Sequence, residues 1–533
     1  MIKDKFFDRT HYLEILTKRV TSLKEGYRQN IAIIGEENVG KSSIVFKFLD
    51  KFYDPRIITV YLEARHEPLE AFARRFIGVL LYNFLLNSQI PLKEDLDYLV
   101  GKSSRYIPKT CVKINSILSA LSRRKKINIF TDIFSLPESI HQETGKFTAI
   151  FLDEFHNLEN AGFPNLYREW SKLLILQKNT LYVIISSMIF KTRLILSKQL
   201  SLLFGNFEIV TVEPFDIYSS SRYLQQRLPE LRLQPGLKDF LVDFTGGYPL
   251  YLELICDALS LRREDISAEL SDILEGLLFD TSGILNQRFS NNIKRFLDLE
   301  AANDYISILY LISSGNNRVK DISHILRKQK KELNSKINYL LQLDAITRSG
   351  DFLKVSDRLF AYWMRFVYQQ KLGSLTFDAR SQKERFRQGI GRLIQDFLKD
   401  SRKSLPVRVY ELMQLFEDDL MQIERKKVRL NHFREIKPLE FKHRLLKEGL
   451  LGRSSEALWI MAIKPGALTE QDVAEFAKEC KRYHHKSQRR IMVTLKEVEA
   501  NARLRALEEK VWTWDLSSLN QMMDLFSKPR VIA

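Results

Sequence analysis

The chain has 533 residues, of which 45% are hydrophobic, and this length at about 150 residues per domain predicts three or four domains with sizeable cores. Three cysteines, Cys111, Cys256 and Cys480, lie far apart without a C-x-x-C pair, which excludes a disulfide framework and a zinc ribbon. The formal net charge of +17 favours a polyanionic partner such as nucleic acid, although basic chains also bind acidic proteins and lipid surfaces.

The sequence gives no sign of membrane insertion or export. No apolar run approaches the ~20 residues that a spanning helix requires. Residues 1–5 also lack the apolar core and cleavage site of a secretory signal. We therefore expect a cytoplasmic protein without a membrane partner.

The first predicted elements surround a phosphate-binding motif. An amphipathic helix follows Arg9, and residues 30–34 are an apolar, β-branched run that predicts a buried strand. Residues 35–42 read Gly-Glu-Glu-Asn-Val-Gly-Lys-Ser and fit G-x-x-x-x-G-K-[ST]. Residues 43–49 then have helical spacing, so the motif joins a strand to a helix, as a P-loop does.

A P-loop binds phosphate through its backbone N–H groups and the following helix N-terminus. Lys41 would reach the β- and γ-phosphates, and the Ser42 hydroxyl would hold Mg²⁺. We predict ATP and Mg²⁺ as cofactors, with a nucleotide-binding set of Gly35, Glu36, Glu37, Asn38, Val39, Gly40, Lys41, Ser42 and Ser43.

Two later strands are predicted to end beside this loop. Residues 57–62 and 147–153 are apolar runs, and the second ends in Asp153 and Glu154. Asp153 would bind Mg²⁺ through water, and Glu154 would polarise the attacking water. An apolar strand that ends in two acids is also common without any such function. Its presence in one chain with a matching P-loop favours the catalytic interpretation.

Residues 180–187 form another buried strand, which ends in Ser186 and Ser187. Ser187 would sense the γ-phosphate or the attacking water, or would be an ordinary loop residue. Lys41, Glu154 and Ser187 form the predicted catalytic set. Strands that alternate with helices predict a parallel sheet with nucleotide at the carboxyl ends of its strands.

Helical patterns follow at residues 216–228 and 237–244. Gly-Gly-Tyr-Pro at residues 246–249 then precedes a helix at 251–261. Glycines suit a helix C-cap, and Pro249 suits the first position of the next helix. The simplest interpretation is a turn between two helices.

Together these motifs resemble the archaeal-type ATPases of the STAND branch of AAA+ proteins, whose relatives include archaeal replication initiators. The features that carry the resemblance are the aromatic-Asp-Arg run ending at Arg9, the P-loop, Phe-Leu-Asp-Glu-Phe-His, the strand ending in two serines, and Gly-Gly-Tyr-Pro. The resemblance covers roughly residues 5–370 and implies a sheet domain with a helical lid. It also implies Arg9 near the adenine and Pro249 near the nucleotide from the lid side. Asp8 departs from the family, in which Gly usually precedes the Arg.

The middle of the chain predicts a winged helix. Three short helical patterns at residues 305–312, 319–327 and 331–341 precede two strand-like runs within residues 345–355. In such a module Lys330, Lys331 and Lys336 would meet phosphates of DNA. The alternative is a module that only packs on the ATPase core or on a partner.

The C-terminal third is polar and basic at first and then regains strand and helix patterns. The order of helix, strands, helix, strand and Trp-x-Trp-Asp resembles a restriction-endonuclease-like domain, which often follows the winged helix in archaeal-type ATPases. Such a nuclease needs Glu-x-Lys, but residues 462–464 read Ala-Ile-Lys. We therefore expect an inactive DNA-binding or docking module, unless Glu456 or Glu440 replaces the missing carboxylate.

The predicted fold is α/β: a P-loop AAA+-type parallel sheet domain (1–212), a helical lid (213–300), a winged helix (301–370), a linker or helix (371–405) and an α/β restriction-endonuclease-like domain (406–533). The predicted function is a slow ATPase switch that couples nucleotide state to DNA binding through the winged helix and the basic C-terminal third. A signalling or defence scaffold and an ATP-gated nuclease are the alternatives. The sequence leaves open a homo-oligomer or a protein complex.

Overall fold

The computed structural model describes residues 6–90, 93–123, 129–200, 207–229, 235–261, 266–297, 299, 302–369, 378–423, 426–441, 446–483 and 487–532. The chain divides into two compact units. The first contains Met1–Pro214 and Gln342–Asp344, and the second contains Phe215–Leu341 and Ala345–Ala533.

A single sheet forms the centre of the first unit. Its strands are β1 (Asn30–Ile34), β2 (Ile57–Glu63), β3 (Phe147–Asp153), β4 (Thr180–Ser186) and β5 (Phe207–Thr211). All neighbouring strands pair in parallel, in the order β2-β3-β4-β1-β5. Every residue of β1 and β4 is buried, as expected for central strands of a parallel sheet that is covered on both faces.

Helices connect and cover these strands. They are α1 (Thr10–Ser22), α2 (Lys41–Lys51), α3 (Leu69–Asn87), α4 (Leu96–Ser103), α5 (Pro108–Ser122), α6 (Ile129–Phe134), α7 (Leu136–Thr144), α8 (Leu166–Leu176) and α9 (Ile189–Leu194). Fully buried aromatic side chains fill the space between helices and sheet, among them Phe76, Phe134 and Trp170. Each such side chain contributes roughly 1.5–3 kcal/mol through the apolar surface that it removes from water.

The second unit begins with five helices. They are α10 (Ile217–Arg227), α11 (Pro235–Thr245), α12 (Pro249–Ser260), α13 (Ile266–Leu278) and α14 (Ile284–Leu297). Gly246 and Gly247 have positive φ angles of 64° and 80°, which end α11 before Pro249 opens α12 at its first position.

A three-helix group and a hairpin follow. They consist of α15 (Ala302–Ser313), α16 (Val319–Leu326), α17 (Lys330–Gln342), β6 (Ile346–Ser349) and β7 (Phe352–Val355). The strands β6 and β7 are antiparallel. A further helix, α18 (Arg358–Trp363), continues into a π-helical turn at Met364–Tyr368.

The rest of the second unit is α/β. A long helix, α19 (Ala379–Ser401), and α20 (Leu405–Met413) lead to a two-stranded hairpin of β8 (Asp419–Ile423) and β9 (Lys426–Leu430). The remaining elements are β10 (Phe433–Glu440), β11 (Glu448–Ser454), β12 (Leu458–Lys464), α21 (Glu470–Cys480), β13 (Gln488–Thr494), α22 (Ala500–Glu508), β14 (Val511–Trp514) and α23 (Leu516–Leu525).

The five strands β10 to β14 form one sheet in sequence order, antiparallel from β10 to β12 and parallel from β12 to β14. Alternate residues of β12 enter two different cores. Trp459 and Met461 face α20 and α23, whereas Ile460 and Ala462 face α21 and α22. This alternation is the period of two that a strand imposes on its side chains.

The α/β class and the parallel sheet of the first unit confirm the predicted fold class. The bounds of the five predicted segments remain predictions, and residues 371–377 of the predicted linker lie outside the described residues. No helix in the part of the chain that the structure describes is long and apolar enough to cross a bilayer.

Candidate nucleotide site

The candidate site lies at the carboxyl edge of the parallel sheet, where β1 runs into residues 35–40 and then into α2. Strand β4 pairs with β1 on one side and with β3 on the other. The polar residues that follow β4 therefore lie between the P-loop and the acids that end β3. This is the sheet edge at which open α/β folds bind ligands.

Two glycines allow the loop to take its shape. Gly40 has a φ of 90° and immediately precedes α2, a conformation that favours glycine. A Cβ atom at Gly35 would collide with the carbonyl of Val212, since the Val212 N–H donates a 2.7 Å hydrogen bond to the Ile34 carbonyl just before it. The start of the loop thus lies directly against the chain that follows β5.

Arg9 holds the loop from the side of α1. Its side chain is buried, donates from Nη1 to the carbonyl of Val39, and donates from Nη2 to the carbonyl of Glu213 at 2.8 Å. Burial lowers the pKa of Arg9 to about 10. The guanidinium therefore joins the P-loop backbone to the end of the sheet. The adenine contact that the family resemblance implies for Arg9 remains a prediction.

Lys41 is buried at the start of α2. Its Nζ donates to the carbonyls of Gly35 at 3.0 Å and Glu36 at 2.8 Å. Among the described residues no carboxylate forms an ion pair with this ammonium. Burial lowers the pKa of Lys41, although the nearby Glu154 carboxylate opposes this shift. A buried cation that only carbonyls hold fits an anionic ligand such as a phosphate.

Ser42 and Asp153 lie in direct contact. Ser42 Oγ donates to Asp153 Oδ2 at 2.9 Å, and the Tyr61 hydroxyl at the end of β2 donates to the same oxygen at 2.7 Å. Burial and this bond raise the pKa of Tyr61, so that the phenol stays a donor. The other oxygen of Asp153 accepts from the Glu154 N–H at 2.9 Å.

A serine hydroxyl and a carboxylate are ligands that suit Mg²⁺ when water and phosphate oxygens complete the octahedron. No group of three or more His, Cys, Asp or Glu side chains that could hold a metal ion occurs in the described part of the chain. The chemistry of the pair thus fits a magnesium ion that arrives with a phosphate ligand, and not a cage built by the protein alone.

Glu154 follows β3 in the left-handed region, with a φ of 45°. Its Oε2 accepts from the Ser187 hydroxyl at 2.9 Å and from the Ser187 N–H at 3.2 Å. Burial raises the pKa of Glu154, and the two bonds from Ser187 lower it. A partly buried carboxyl with a raised pKa is suited to accept a proton near neutral pH.

His156 completes this group. Its Nδ1 lies 3.0 Å from Ser186 Oγ and 3.4 Å from Glu154 Oε2. Burial, with a smaller effect of Lys191, lowers the pKa of His156 to about 4. The imidazole is therefore neutral at pH 7 and bridges the ends of β3 and β4 without adding charge.

The other residues predicted to bind the nucleotide differ in their exposure. Glu36, Glu37 and Asn38 are half-buried in the loop, and Ser43 is exposed on α2. Pro249 belongs to the second unit, so its predicted role at the nucleotide remains a prediction. The assignment of nucleotide, metal and catalysis to the other residues also remains a prediction, which the geometry supports.

Tyr61 and His156 are two residues of this site that sequence reasoning missed. Tyr61 lies near the end of the strand that neighbours β3, and a polar residue at that position is a signal that could have found it. His156 lies in the quoted Phe-Leu-Asp-Glu-Phe-His run, but its partner Ser186 is 30 positions away. Only the pairing of β3 with β4 brings the two together.

No protein-family model matches the sequence, and no curated protein matches it. Among solved structures, a Walker-type ATPase of Pyrococcus abyssi is similar at 16% identity, covers 68% of this chain and 97% of its own, and gives a TM-score of 0.50. The ORC2 protein of Aeropyrum pernix gives 11% identity, 69% and 95% coverage and a TM-score of 0.40. A STAND protein with a tetratricopeptide repeat sensor from Pyrococcus horikoshii is 13% identical, covers 77% of this chain and 50% of its own, and gives a TM-score of 0.30.

The first of these similarities bears on the fold alone, because the identity is low. The parallel order β2-β3-β4-β1-β5 and the P-loop between β1 and α2 are described above. The chain therefore has an α/β fold of the AAA+ P-loop ATPase type, as the sequence predicted.

Proposed function

We propose that the protein binds ATP with Mg²⁺, hydrolyses it slowly, and uses the nucleotide state as a molecular switch. One observation carries the proposal: a single sheet edge brings together the P-loop ammonium of Lys41, the Ser42–Asp153 pair and the Glu154–Ser187 pair. These groups come from three separate segments of the chain. Their convergence supports phosphate chemistry more strongly than the P-loop motif does alone.

Each side chain has a definite task in this proposal. The loop N–H groups and Lys41 bind the phosphates, while Ser42 and Asp153 hold the metal ion. Mg²⁺, when bound, neutralises charge on the phosphates. Glu154 orients the attacking water and accepts its proton, and Ser187 fixes the carboxylate.

The contacts of Glu154 also support slow turnover. Two donors of Ser187 already occupy its Oε2, and burial raises its pKa. Water must therefore compete with existing hydrogen bonds for this carboxylate, and burial favours its protonated form. A slow rate suits a switch whose two nucleotide states must persist.

Nucleotide binding can be tested with a fluorescent ATP analogue on the full chain. We expect Lys41→Ala to weaken affinity at least about 100-fold, because the phosphates lose their buried ammonium. Lys51→Ala, at the exposed last position of the same helix, is the matched control and should change affinity less than twofold. Equal affinities in wild type and Lys41→Ala would refute the proposal.

Hydrolysis needs a separate variant. Glu154→Gln should keep nucleotide affinity but lower the rate of phosphate release at least about 100-fold, because an amide accepts no proton. Unchanged release would remove Glu154 from the chemistry while leaving the binding proposal intact.

The coupled partner is proposed to be nucleic acid. The arrangement of α15, α16, α17 and the β6–β7 hairpin supports a winged helix, and the net charge of +17 supports a polyanionic ligand. A titration with labelled DNA at several salt concentrations tests this, since phosphate contacts must give a steep salt dependence. A flat dependence would favour the alternative of a scaffold that engages a protein.

The last sheet supports a restriction-endonuclease-like domain that has lost its activity. Lys464 Nζ donates at 2.6 Å to Asp472, a buried residue that also caps α21. Glu440 pairs with Glu448 across β10 and β11, and Glu448 pairs with Ile463, the neighbour of Lys464.

Since adjacent residues of a strand face opposite sides, both glutamates lie on the face of the sheet away from Lys464. Glu456 instead pairs with Arg429 at 3.0 Å. These positions give no support to Glu440 or Glu456 as the replacement for the missing carboxylate beside Lys464. A plasmid-nicking assay with Mg²⁺ or Mn²⁺ tests this, and cutting that Lys464→Ala abolishes would overturn it.

A further inference from the structure

A cavity of about 810 Å³ lies within the second unit. Its walls come from α11, the end of α15, β7, α18 with the turn after it, α19, and the chain that follows α23. The volume falls in the range of roughly 300–1,000 Å³ that is usual for sites that enclose a ligand. Neither the P-loop nor its acids contribute to it.

The charge of the lining is strongly unbalanced. Eight Lys or Arg residues line the cavity against four Asp residues. Three of these acids are already compensated: Asp243 accepts from Arg358 at 2.8 Å, Asp524 accepts from Lys354 at 2.6 Å, and Asp400 pairs with Lys403 at 2.6 Å. The excess positive charge therefore belongs to the other cations of the lining.

Helix α19 contributes three of the lining cations, Arg385, Arg392 and Lys399, together with two of the acids, Asp396 and Asp400. The two sides of this helix differ. On one side Lys383 and Arg387 form ion pairs with Glu275 of α13, and Lys383 also pairs with Asp280 at 2.6 Å. These two cations anchor the helix to its neighbour.

On the cavity side, Arg385, Arg392 and Lys399 follow one another at intervals of seven residues. Seven residues are two helical turns, so the three cations form one row with a spacing of about 10 Å. All three are exposed, and none has a hydrogen-bond or ion-pair partner within the described ranges. Arg365 adds a fourth cation, which lies over the ring of Phe366 with its Cζ 5.0 Å from the ring centre.

In the predicted winged helix, by contrast, some of the cations and the turn of the hairpin already have partners. Lys336 of α17 forms an ion pair with Asp304 at 2.5 Å, and Lys328 pairs with Glu332 at 2.7 Å. The turn of the hairpin is held by β8, because the Asp351 N–H donates to the Leu420 carbonyl at 2.9 Å and the Leu420 N–H donates to Asp351 at 2.8 Å. The turn and Lys336 thus already have partners inside the chain.

We propose that the row Arg385, Arg392 and Lys399 binds the phosphates of a single nucleic-acid strand, with a short stretch of that strand enclosed by the cavity. The inference rests on the nucleic-acid coupling proposed above and locates it on α19 in place of the winged helix. Evenly spaced, unpaired cations suit the repeated charge of a phosphodiester backbone. The stacked guanidinium of Arg365 offers a flat cation to a base. A cavity of this volume suits a short stretch of one strand.

The test uses the full chain and fluorescence anisotropy with labelled single strands of thymidylate DNA or uridylate RNA, at several salt concentrations. We expect Arg385→Glu/Arg392→Glu/Lys399→Glu to weaken binding of both strands at least about 100-fold. The plot of log affinity against log salt should also become less steep, with a slope about 2 smaller in magnitude, since each lost phosphate contact removes about 0.7 for single strands.

The matched control is Lys330→Glu/Lys331→Glu/Arg348→Glu, which reverses three exposed cations of α17 and β6 and gives the same net charge. It should change affinity less than threefold. Equal losses in the two triple variants, or a larger loss in the control, would overturn the inference. Tighter binding of duplex than of single strand would also overturn it.

Arg385→Gln/Arg392→Gln/Lys399→Gln provides a milder variant in case the reversal impairs folding, and it should lower affinity at least tenfold. Binding of the fluorescent ATP analogue is measured on the same samples. Wild-type protein that binds the analogue but no strand would refute this inference while the ATPase proposal stands. Failure to bind the analogue would refute that proposal separately.

Discussion

Ser187 donates two hydrogen bonds to one carboxylate oxygen of Glu154, from its hydroxyl at 2.9 Å and from its backbone N–H at 3.2 Å. The two residues lie 33 positions apart in the sequence and follow neighbouring strands. Burial raises the pKa of Glu154, and these bonds oppose the rise. The serine thus sets how readily the carboxylate takes up a proton.

Ser187→Ala removes one of these donors and should raise the pKa of Glu154 further. Because only the ionised carboxylate can accept a proton, the acid side of the pH–rate profile for ATP hydrolysis should move to higher pH. The rate should fall on the acid side of the profile, with little change on its alkaline side. Ser187→Thr keeps the hydroxyl and should restore the wild-type profile. A uniform loss across all pH values would contradict this role.

Tyr61→Phe removes the phenol that donates to Asp153. Since such outer contacts orient metal-binding groups, the Mg²⁺ concentration for half-maximal hydrolysis should rise about tenfold. The free energy of unfolding should fall by about 1 kcal/mol. Tyr27→Phe, at an exposed tyrosine, should change neither quantity. An unaltered Mg²⁺ titration would show that Asp153 keeps its orientation without Tyr61.

His156 should make the stability of the first unit depend on pH. Its pKa is about 4 in the folded chain and about 6.5 in the unfolded chain, so the unfolded state binds more protons between these values. The contribution of His156 to the free energy of unfolding is therefore present above pH 6.5 and is lost as the pH drops. The loss is about 2 kcal/mol between pH 7 and pH 5.

The variant His156→Gln should lose this contribution to the pH dependence, whereas His11→Gln, at an exposed histidine, should keep it. Urea unfolding is measured at the two pH values, and hydrogen exchange of peptides from β3 and β4 serves as the probe. These peptides report on the first unit alone. The same pH dependence in His156→Gln and wild type would disprove the assignment.

Asp524 is the centre of a buried ionic group in the second unit. It accepts from Lys354 at 2.6 Å, from Arg358, and from Arg530 at 2.7 Å. Burial alone would raise the pKa of Asp524, but these cations hold it well below the usual value. Asp524→Asn leaves three cations with too little negative charge and should cost about 3–5 kcal/mol of the free energy of unfolding.

The double variant Asp524→Asn/Lys354→Met should recover part of that loss, because one unpaired cation is removed with its partner. Asp396→Asn, at an exposed acid of α19, should be neutral. Thermal unfolding of five proteins measures the differences: wild type, Asp524→Asn, Lys354→Met, the double variant and Asp396→Asn. An additive loss in the double variant would exclude the proposed coupling between Asp524 and Lys354.

The sequence predicted the parts of the site that depend on local pattern. The P-loop is a contiguous motif, and Asp153 and Ser187 end or follow apolar runs, which mark the ends of buried strands. Parallel strands bring such ends to one edge, so their convergence followed from the predicted sheet. The contact of Tyr61 with Asp153 could not be predicted in this way, since it depends on β2 being the neighbour of β3.

Long-range packing in the second unit was also beyond pattern reasoning. Lys330, Lys331 and Lys336 look like phosphate ligands in the sequence, but Lys336 is paired with Asp304. In contrast, the sequence predicted only a linker or a helix rich in cations where α19 lies. Which of its sides is neutralised depends on α13, a partner more than 100 residues earlier.

The position of β4 also has a mechanical consequence. His156 touches both the Glu154 carboxylate and the Ser186 hydroxyl, and that hydroxyl accepts the N–H of Met188, the residue that precedes α9. In the proposed mechanism, Glu154 is therefore linked to the beginning of α9 through two side chains, those of His156 and Ser186. The sheet edge and the start of this helix share one short chain of contacts, and its middle member is an uncharged imidazole.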